Sequence, residues 1–275
     1  MGKIVESSIL ITGCSSGIGR ALVEEFAEKG HRVLATARDP DDILDLECPR
    51  VQTARLDVTD PRSITSAVET IVEWTGRIDV LVNNAGYALI GPLAELELSD
   101  LRAQFETNVI GLIAVTREAV PHMVRQRGGR IVNIGSVSGV TTTPFGGAYS
   151  ATKAAVHLMS DALRMELARW GIEVVEVQPG SIQSGFGDRA TQGVDRYRSN
   201  SLYSDISDGI EKRAMVSQED AMPARAFASL VVEAVSRKRP KAVFRAGKNS
   251  VFLPVLAHLP VGIRDRILSR MFGLR

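Results

Sequence analysis

The sequence predicts an α/β fold: one domain built on a doubly wound parallel sheet of about seven strands, with helices on both faces. Three observations lead there. Short β-branched runs alternate with longer stretches of helical spacing along the chain. The first such run ends in a turn with glycines at 13, 17 and 19. The 275 residues, 44% of them hydrophobic, suffice for one substantial core and fall short of two full domains.

Apolar runs of strand length lie at 8–11, 32–36, 51–57, 80–83, 130–135 and 172–178, with a seventh at 242–245. Helical spacing covers 18–29, where Ala21, Leu22, Glu25 and Phe26 keep the three/four rhythm, and then 63–74, 98–127, 148–170 and 220–236. Strands that alternate with helices imply right-handed βαβ crossovers and a sheet covered on both faces. Ligands of such sheets bind outside the carboxyl ends of the strands. Two segments break the alternation. Residues 184–218 are rich in Ser, Asp, Gly and Arg with little apolar periodicity, as in a substrate-side flap or a surface loop. Residues 249–275 interleave Phe252, Leu253, Leu256, Leu259, Ile263, Ile267, Leu268 and Phe272 with Arg264, Arg266 and Arg270. Such a tail packs on its own domain, covers a substrate pocket or meets a partner subunit; a membrane surface is the alternative.

Bulk electrostatics exclude little and demand nothing. The net charge is +1, so no nucleic-acid partner is called for. Cys14 and Cys48 read as free thiols of a reducing, cytoplasmic compartment. The first ten residues lack a secretory signal, and Glu6 stands where a myristoylation motif needs Ser or Thr. No run of 18 apolar residues offers a spanning helix. His31, His122, His157 and His258 have no ligand spacing, so no metal site is expected.

The chemistry sits at the strand ends. After Ile9-Leu10-Ile11-Thr12 come Gly13, Cys14, Ser15, Ser16, Gly17, Ile18 and Gly19, then a helix. This strand-turn-helix is a Rossmann-type phosphate cradle. Glycines let the backbone turn tightly and approach a pyrophosphate, and the helix N-terminus presents free N–H groups to it. The second strand ends in Arg38-Asp39, both near the distance at which a dinucleotide fold reads the ribose 2′ position. Spacing does not decide between them. Asp39 opens Asp-Pro-Asp-Asp, a helix-start composition, which leaves Arg38 as the contact to a 2′-phosphate. Asp57, followed by Val58 at the third strand end, either accepts from an adenine amino group or caps the next helix. Asn83, Asn84, Ala85 and Gly86 close the fourth strand with small and amide residues against which a cofactor packs. Ser136 closes the fifth, and Tyr149 and Lys153 stand at i and i+4 on the following helix. An unperturbed tyrosine titrates near pH 10, too high for a base at neutrality; a cation one turn away lowers it. Ser136 then donates to the oxygen on which charge develops.

Together these residues resemble the short-chain dehydrogenase/reductase family. The match runs from Thr12 through the Gly13–Gly19 turn, Asn83-Asn84-Ala85-Gly86, Asn108-Val109-Ile110-Gly111, Ser136, Tyr149 and Lys153 to Pro179-Gly180, covering about residues 5–185. The resemblance implies a catalytic tetrad of Asn108, Ser136, Tyr149 and Lys153, with the asparagine placing a proton-relay water and the lysine also reaching the nicotinamide ribose. Members that prefer NAD usually carry Asp where this chain has Ala37, and members with an arginine matching Arg38 usually prefer NADP(H). The family's threonine after the Pro-Gly falls on Gln183; Ser184 retains the hydroxyl and is favoured, with Ile182 contributing backbone contacts. The Ala-Thr-Ala-Arg strand end is similar to members acting on lipophilic hydroxyls and ketones: hydroxysteroid and retinol dehydrogenases, carbonyl reductases and acyl-dihydroxyacetone-phosphate reductases. The implied protein is an NADP(H)-dependent oxidoreductase of a lipophilic carbonyl or alcohol, a homodimer or homotetramer paired through its two long helices. The alternatives are an NAD-linked oxidative dehydrogenase and a non-catalytic nucleotide-binding regulator.

Overall fold

In the computed structural model, which describes residues 6–185, 191, 193–199 and 201–275, seven strands form one parallel sheet. They are β1 (Ser8–Ile11), β2 (Arg32–Ala37), β3 (Val51–Arg55), β4 (Val80–Asn83), β5 (Gly129–Ile134), β6 (Ile172–Pro179) and β7 (Val243–Ala246). The order is β3-β2-β1-β4-β5-β6-β7, so the winding reverses between β1 and β4 and opens a crevice there. Central strands bury both faces and therefore read as unbroken apolar runs. Ile9 and Ile11 join Val33 and Val82 under α1 (Gly17–Glu28) and the helix Ala224–Val235. Leu10, Leu34 and Leu81 point the other way, under α2 (Pro61–Thr75), α4 (Leu112–Arg125) and α5 (Gly147–Leu167).

Local chemistry sets the helix ends. Asp60 caps α2 by accepting from the Arg62 N–H, Pro61 follows at the first position, and Gly76 ends the helix at φ 77°. Asp39 likewise accepts from the Asp41 N–H and starts a 3₁₀ helix at Pro40–Leu46, as its composition suggested. The stretch 98–127 is three pieces: α3 (Leu98–Phe105), a wide π turn at Glu106–Gly111, and α4. A buried polar chain ties the helices to the sheet. The Asn83 amide donates to Thr116 on α4 and to Asn133 on β5, and Asn133 donates to Ser160 on α5.

Two segments carry more structure than their composition indicated. Within 184–218 lies α6 (Ser207–Met215), which buries Ile210, Arg213 and Ala214. Its single apolar turn and internal Gly209 left too weak a period to detect. The helix Ala224–Val235 is α7. The tail forms α8 (Phe252–Leu256) and α9 (Val261–Met271). Leu253, Leu256 and Leu268 pack around Val137, and Phe272 joins Phe145 and Ile210, so the tail folds onto its own domain. Residues 186–190, 192 and 200 of the 184–218 segment fall outside the described residues. No helix among the described residues is long and apolar enough to cross a membrane.

Candidate active site

A cleft of about 1130 Å³ opens above the carboxyl ends of the strands. Its first wall is the glycine turn. Gly13 and Gly17 have φ of 72° and 58°, a region that strains other residues. A Cβ on Gly13 would fall 2.8 Å from Ala85 Cα, and one on Gly17 2.6 Å from Ser184 Cβ. The glycines thus admit neighbouring protein as well as a ligand. Thr12 staples this wall: its hydroxyl accepts from the Asn84 and Ala85 N–H groups at 3.0 Å. Asn84 returns two amide bonds, to the Thr12 and Gly13 carbonyls, so its side chain braces the loop. Ser16 precedes α1 with no side-chain capping bond, which leaves the first-turn N–H groups to an outside acceptor. Ser15, Ser16, Gly17 and Ile18 all line the cleft, and with Ser184 they form a cradle that fits a pyrophosphate.

Ala37, Arg38, Asp57 and Val58 line the far end. Arg38 is exposed and has no hydrogen bond or ion pair among the described residues, whereas Asp39 is occupied in capping. The Asp57 carboxylate accepts from the Thr59 N–H and hydroxyl. The capping role left open for Asp57 belongs to Asp60, because the chain makes one further turn before α2. On the opposite wall the Gly180 N–H binds the Ala246 carbonyl, and Ser181 to Gln183 pair with Met222 and Lys248. Ile182 and Ser184 face the cleft alongside Pro179 and Gly180. Gln183 is exposed; Gln218 accepts from the Ser184 N–H at 3.0 Å.

Ser136, Tyr149 and Lys153 meet in the middle of the cleft. Ser136, two residues past the end of β5, accepts from the Ser138 N–H at 3.1 Å, and is hydrogen-bonded to Tyr149 in the first turn of α5. Burial pushes the Tyr149 phenol above its ordinary value, with the Ser136 bond and the nearby Arg213 charge pulling it back. Lys153, one turn on, donates to the Ile134 carbonyl at 2.7 Å and lies 5.9 Å from the Tyr149 ring centre. Burial pulls its ammonium down to about 8. Asn108 sits in the wide turn. Its amide donates to the Tyr87 carbonyl and the Thr152 hydroxyl, and its oxygen accepts from the Tyr87 N–H. Both ends of that side chain are engaged by protein, so it braces α5 against the β4 loop. A π turn often marks a functional position.

Four contributors escaped the sequence reading. Thr12 stood in the motif without a role. His157, two turns past Tyr149, accepts from the Ser136 N–H at 3.4 Å and is kept neutral by burial, which pulls it down to about 4. Gln218 and Arg213 lie within 184–218, where the one buried face of Ile210, Arg213 and Ala214 is too short to show as a helical period. Among the described residues no group of three or more His, Cys, Asp or Glu could hold a metal.

Comparisons with known proteins agree with this geometry. The family model for short chain dehydrogenase matches residues 7–195. The NADPH-dependent 3-dehydrocapnine reductase of Ornithobacterium rhinotracheale is 33% identical over 272 residues, 96% of this chain and 95% of that one. The 3-ketodihydrosphingosine reductase of Bacteroides thetaiotaomicron is 39% identical over 180 residues, 66% of this chain and 65% of that one. The crystal structure of a short-chain dehydrogenase from Streptomyces avermitilis superposes with a TM-score of 0.78 at 27% identity, covering 98% of this chain and 96% of that one. The chain therefore belongs to the short-chain dehydrogenase/reductase family, oxidoreductases that act on CH–OH or carbonyl groups with a nicotinamide cofactor.

Proposed function

We propose that the protein interconverts a carbonyl and an alcohol on a lipophilic substrate, using NADP(H), with Tyr149 as the acid/base. The observation that carries this is the buried trio of Ser136, Tyr149 and Lys153 in a cleft whose far end holds the unpaired Arg38. When bound, the cofactor supplies or accepts the hydride. The residues do the rest. Ser136 donates to the substrate oxygen, and Tyr149 delivers a proton to it on reduction or takes one on oxidation. Lys153 stabilises the phenolate that delivery leaves behind. Asn108 holds the wide turn beside it and supports the proton relay. Gly13, Ser15, Ser16, Gly17 and Ile18 hold the pyrophosphate, Gly19 lets the helix pack against Gly13 and Asn84 behind them, Asp57 and Val58 hold the adenine, and Asn84, Ala85, Gly86, Pro179, Gly180, Ile182 and Ser184 the nicotinamide half.

Lipophilic substrates are supported by the apolar wall of Ile90, Leu253, Met271 and Phe272 and by the two relatives, both named as reductases of 3-dehydro or 3-keto compounds. NADP(H) is supported by Arg38 and by the relative named as NADPH-dependent. A homodimer paired through the two long helical stretches is supported by the exposed Ile110 on the wide turn before α4 and by Leu158 and Met165 on α5. The thiols Cys14 and Cys48 fit a cytoplasmic setting. The test is fluorescence titration of NADPH and NADH on the parent and on Arg38→Ala. A charge-assisted phosphate contact is worth about 1.5–3 kcal/mol, so NADPH affinity falls about ten- to a hundred-fold in the variant while NADH is unmoved. Equal affinities for both cofactors in the parent would refute the assignment.

A further inference from the structure

Arg213 is a buried cation without an anion. It projects from α6, is only 6% exposed, and lines the cleft. Its Nε donates to the Thr143 hydroxyl at 2.5 Å; its terminal nitrogens have no acceptor among the described residues. The surroundings disfavour a bare charge in two ways. Burial pulls the guanidinium down to about 10, which still leaves it protonated at neutrality. It also packs against the start of α5: a Cβ on Gly146, the residue before that helix, would fall 2.8 Å from Nη2. That is the positive end of the helix dipole, where a cation is repelled.

Nothing described in the cleft neutralises it. Tyr149 is close enough to interact, but burial keeps the phenol protonated. The cleft carboxylates Asp57, Asp100 and Glu106 make no ion pair with it. Asp100 instead pairs with the neighbouring Arg196 at 3.3 Å.

We propose that Arg213 binds an oxyanion carried by the substrate, a carboxylate, phosphate or sulfonate, placed within a few bonds of the reacting carbon. This rests on the reading of Ser136 and Tyr149 as the carbonyl site. The substrate is then an amphiphile. Its oxyanion meets Arg213, its carbonyl oxygen lies between Ser136 and Tyr149, and its apolar remainder runs along Leu253, Met271 and Phe272. The edge formed by the two terminal nitrogens of the guanidinium is left to meet an oxyanion, and an anion there also relieves the repulsion from α5.

Two measurements on the full chain test this. The first needs no turnover: calorimetric binding of decanoate, decyl phosphate and methyl decanoate. The parent binds both anions at least ten-fold more tightly than the ester. Arg213→Met and Arg213→Gln remove the difference, Arg213→Lys keeps part of it, and Thr143→Val weakens anion binding with Arg213 intact. Equal binding of acid and ester by the parent overturns the proposal, as does an acid preference that survives in Arg213→Met. So does a fall in NADPH affinity in Arg213→Met as large as the fall for decanoate, which would assign the cation to the cofactor. The second measurement compares NADPH oxidation with 3-oxodecanoate and its methyl ester. The parent favours the acid at least ten-fold in kcat/KM, through KM, and Arg213→Met levels the two. If neither compound turns over while the anions still bind through Arg213, the carbonyl reading falls and the oxyanion site stands.

Discussion

Lys153 shows what a buried cation costs the fold. Its ammonium is buried and, among the described residues, has a single hydrogen bond, to the Ile134 carbonyl. Burial lowers its pKa from 10.5 to about 8. Below pH 8 both folded and unfolded chains hold the proton, and the fold bears the full desolvation cost. Between pH 8 and 10.5 only the unfolded chain holds it, so this cost fades and stability rises with pH. Lys153→Met removes the effect. Urea unfolding at pH 7 and pH 9.5 therefore shows the parent gaining on the variant by on the order of 2 kcal/mol; a pH-independent difference refutes the burial argument. Tyr149, Lys153 and Ser136 were legible in the sequence because their chemistry depends on spacing along one strand end and one helix. Arg213 was not, because its meaning lies in the carboxylate it lacks, and a sequence does not display missing partners. Asp57 was left ambiguous between adenine and cap for a related reason: the further turn between it and α2, which gives the capping to Asp60, does not show in the sequence.

At the scale of elements, strands were legible to within a residue or two because burial on both faces forces continuous apolar runs. Helices lost legibility as they shortened: α6, α8 and α9 bury only a few side chains each. The π turn at Glu106–Gly111 was invisible, since one extra residue in a helical turn barely disturbs an apolar period. Nor does composition reveal that Asn83, Thr116, Asn133 and Ser160 form one buried chain joining β4, β5, α4 and α5. Removing Asn133 strands partners on both sides. At about 1–3 kcal/mol for each unsatisfied buried group, Asn133→Ala destabilises the chain by about 2–4 kcal/mol in denaturant unfolding. A loss below 1 kcal/mol would mean the chain is ornamental to the packing.

At the scale of the whole molecule, the parallel sheet brings six strand ends and two helix starts to one cleft, and the C-terminal helices close one side of it. Leu158 and Met165 lie exposed and seven residues apart on one face of α5, and Ile110 lies exposed on the wide turn before α4. If these faces pair two copies, the double variant Leu158→Glu, Met165→Glu sediments as a monomer at micromolar concentration while the parent sediments as a dimer; identical behaviour contradicts the pairing. In the proposed mechanism the cleft divides the labour: its glycine turn and Arg38 end would serve binding, and its Ser136–Tyr149–Lys153 centre proton transfer. Tyr149→Phe separates the two, because it deletes one hydroxyl and leaves the cradle untouched. With a ketone that the parent reduces, the variant should lose about 10²–10⁴-fold in kcat while its NADPH affinity, read by fluorescence titration, stays within about two-fold. Turnover retained in Tyr149→Phe would contradict the account.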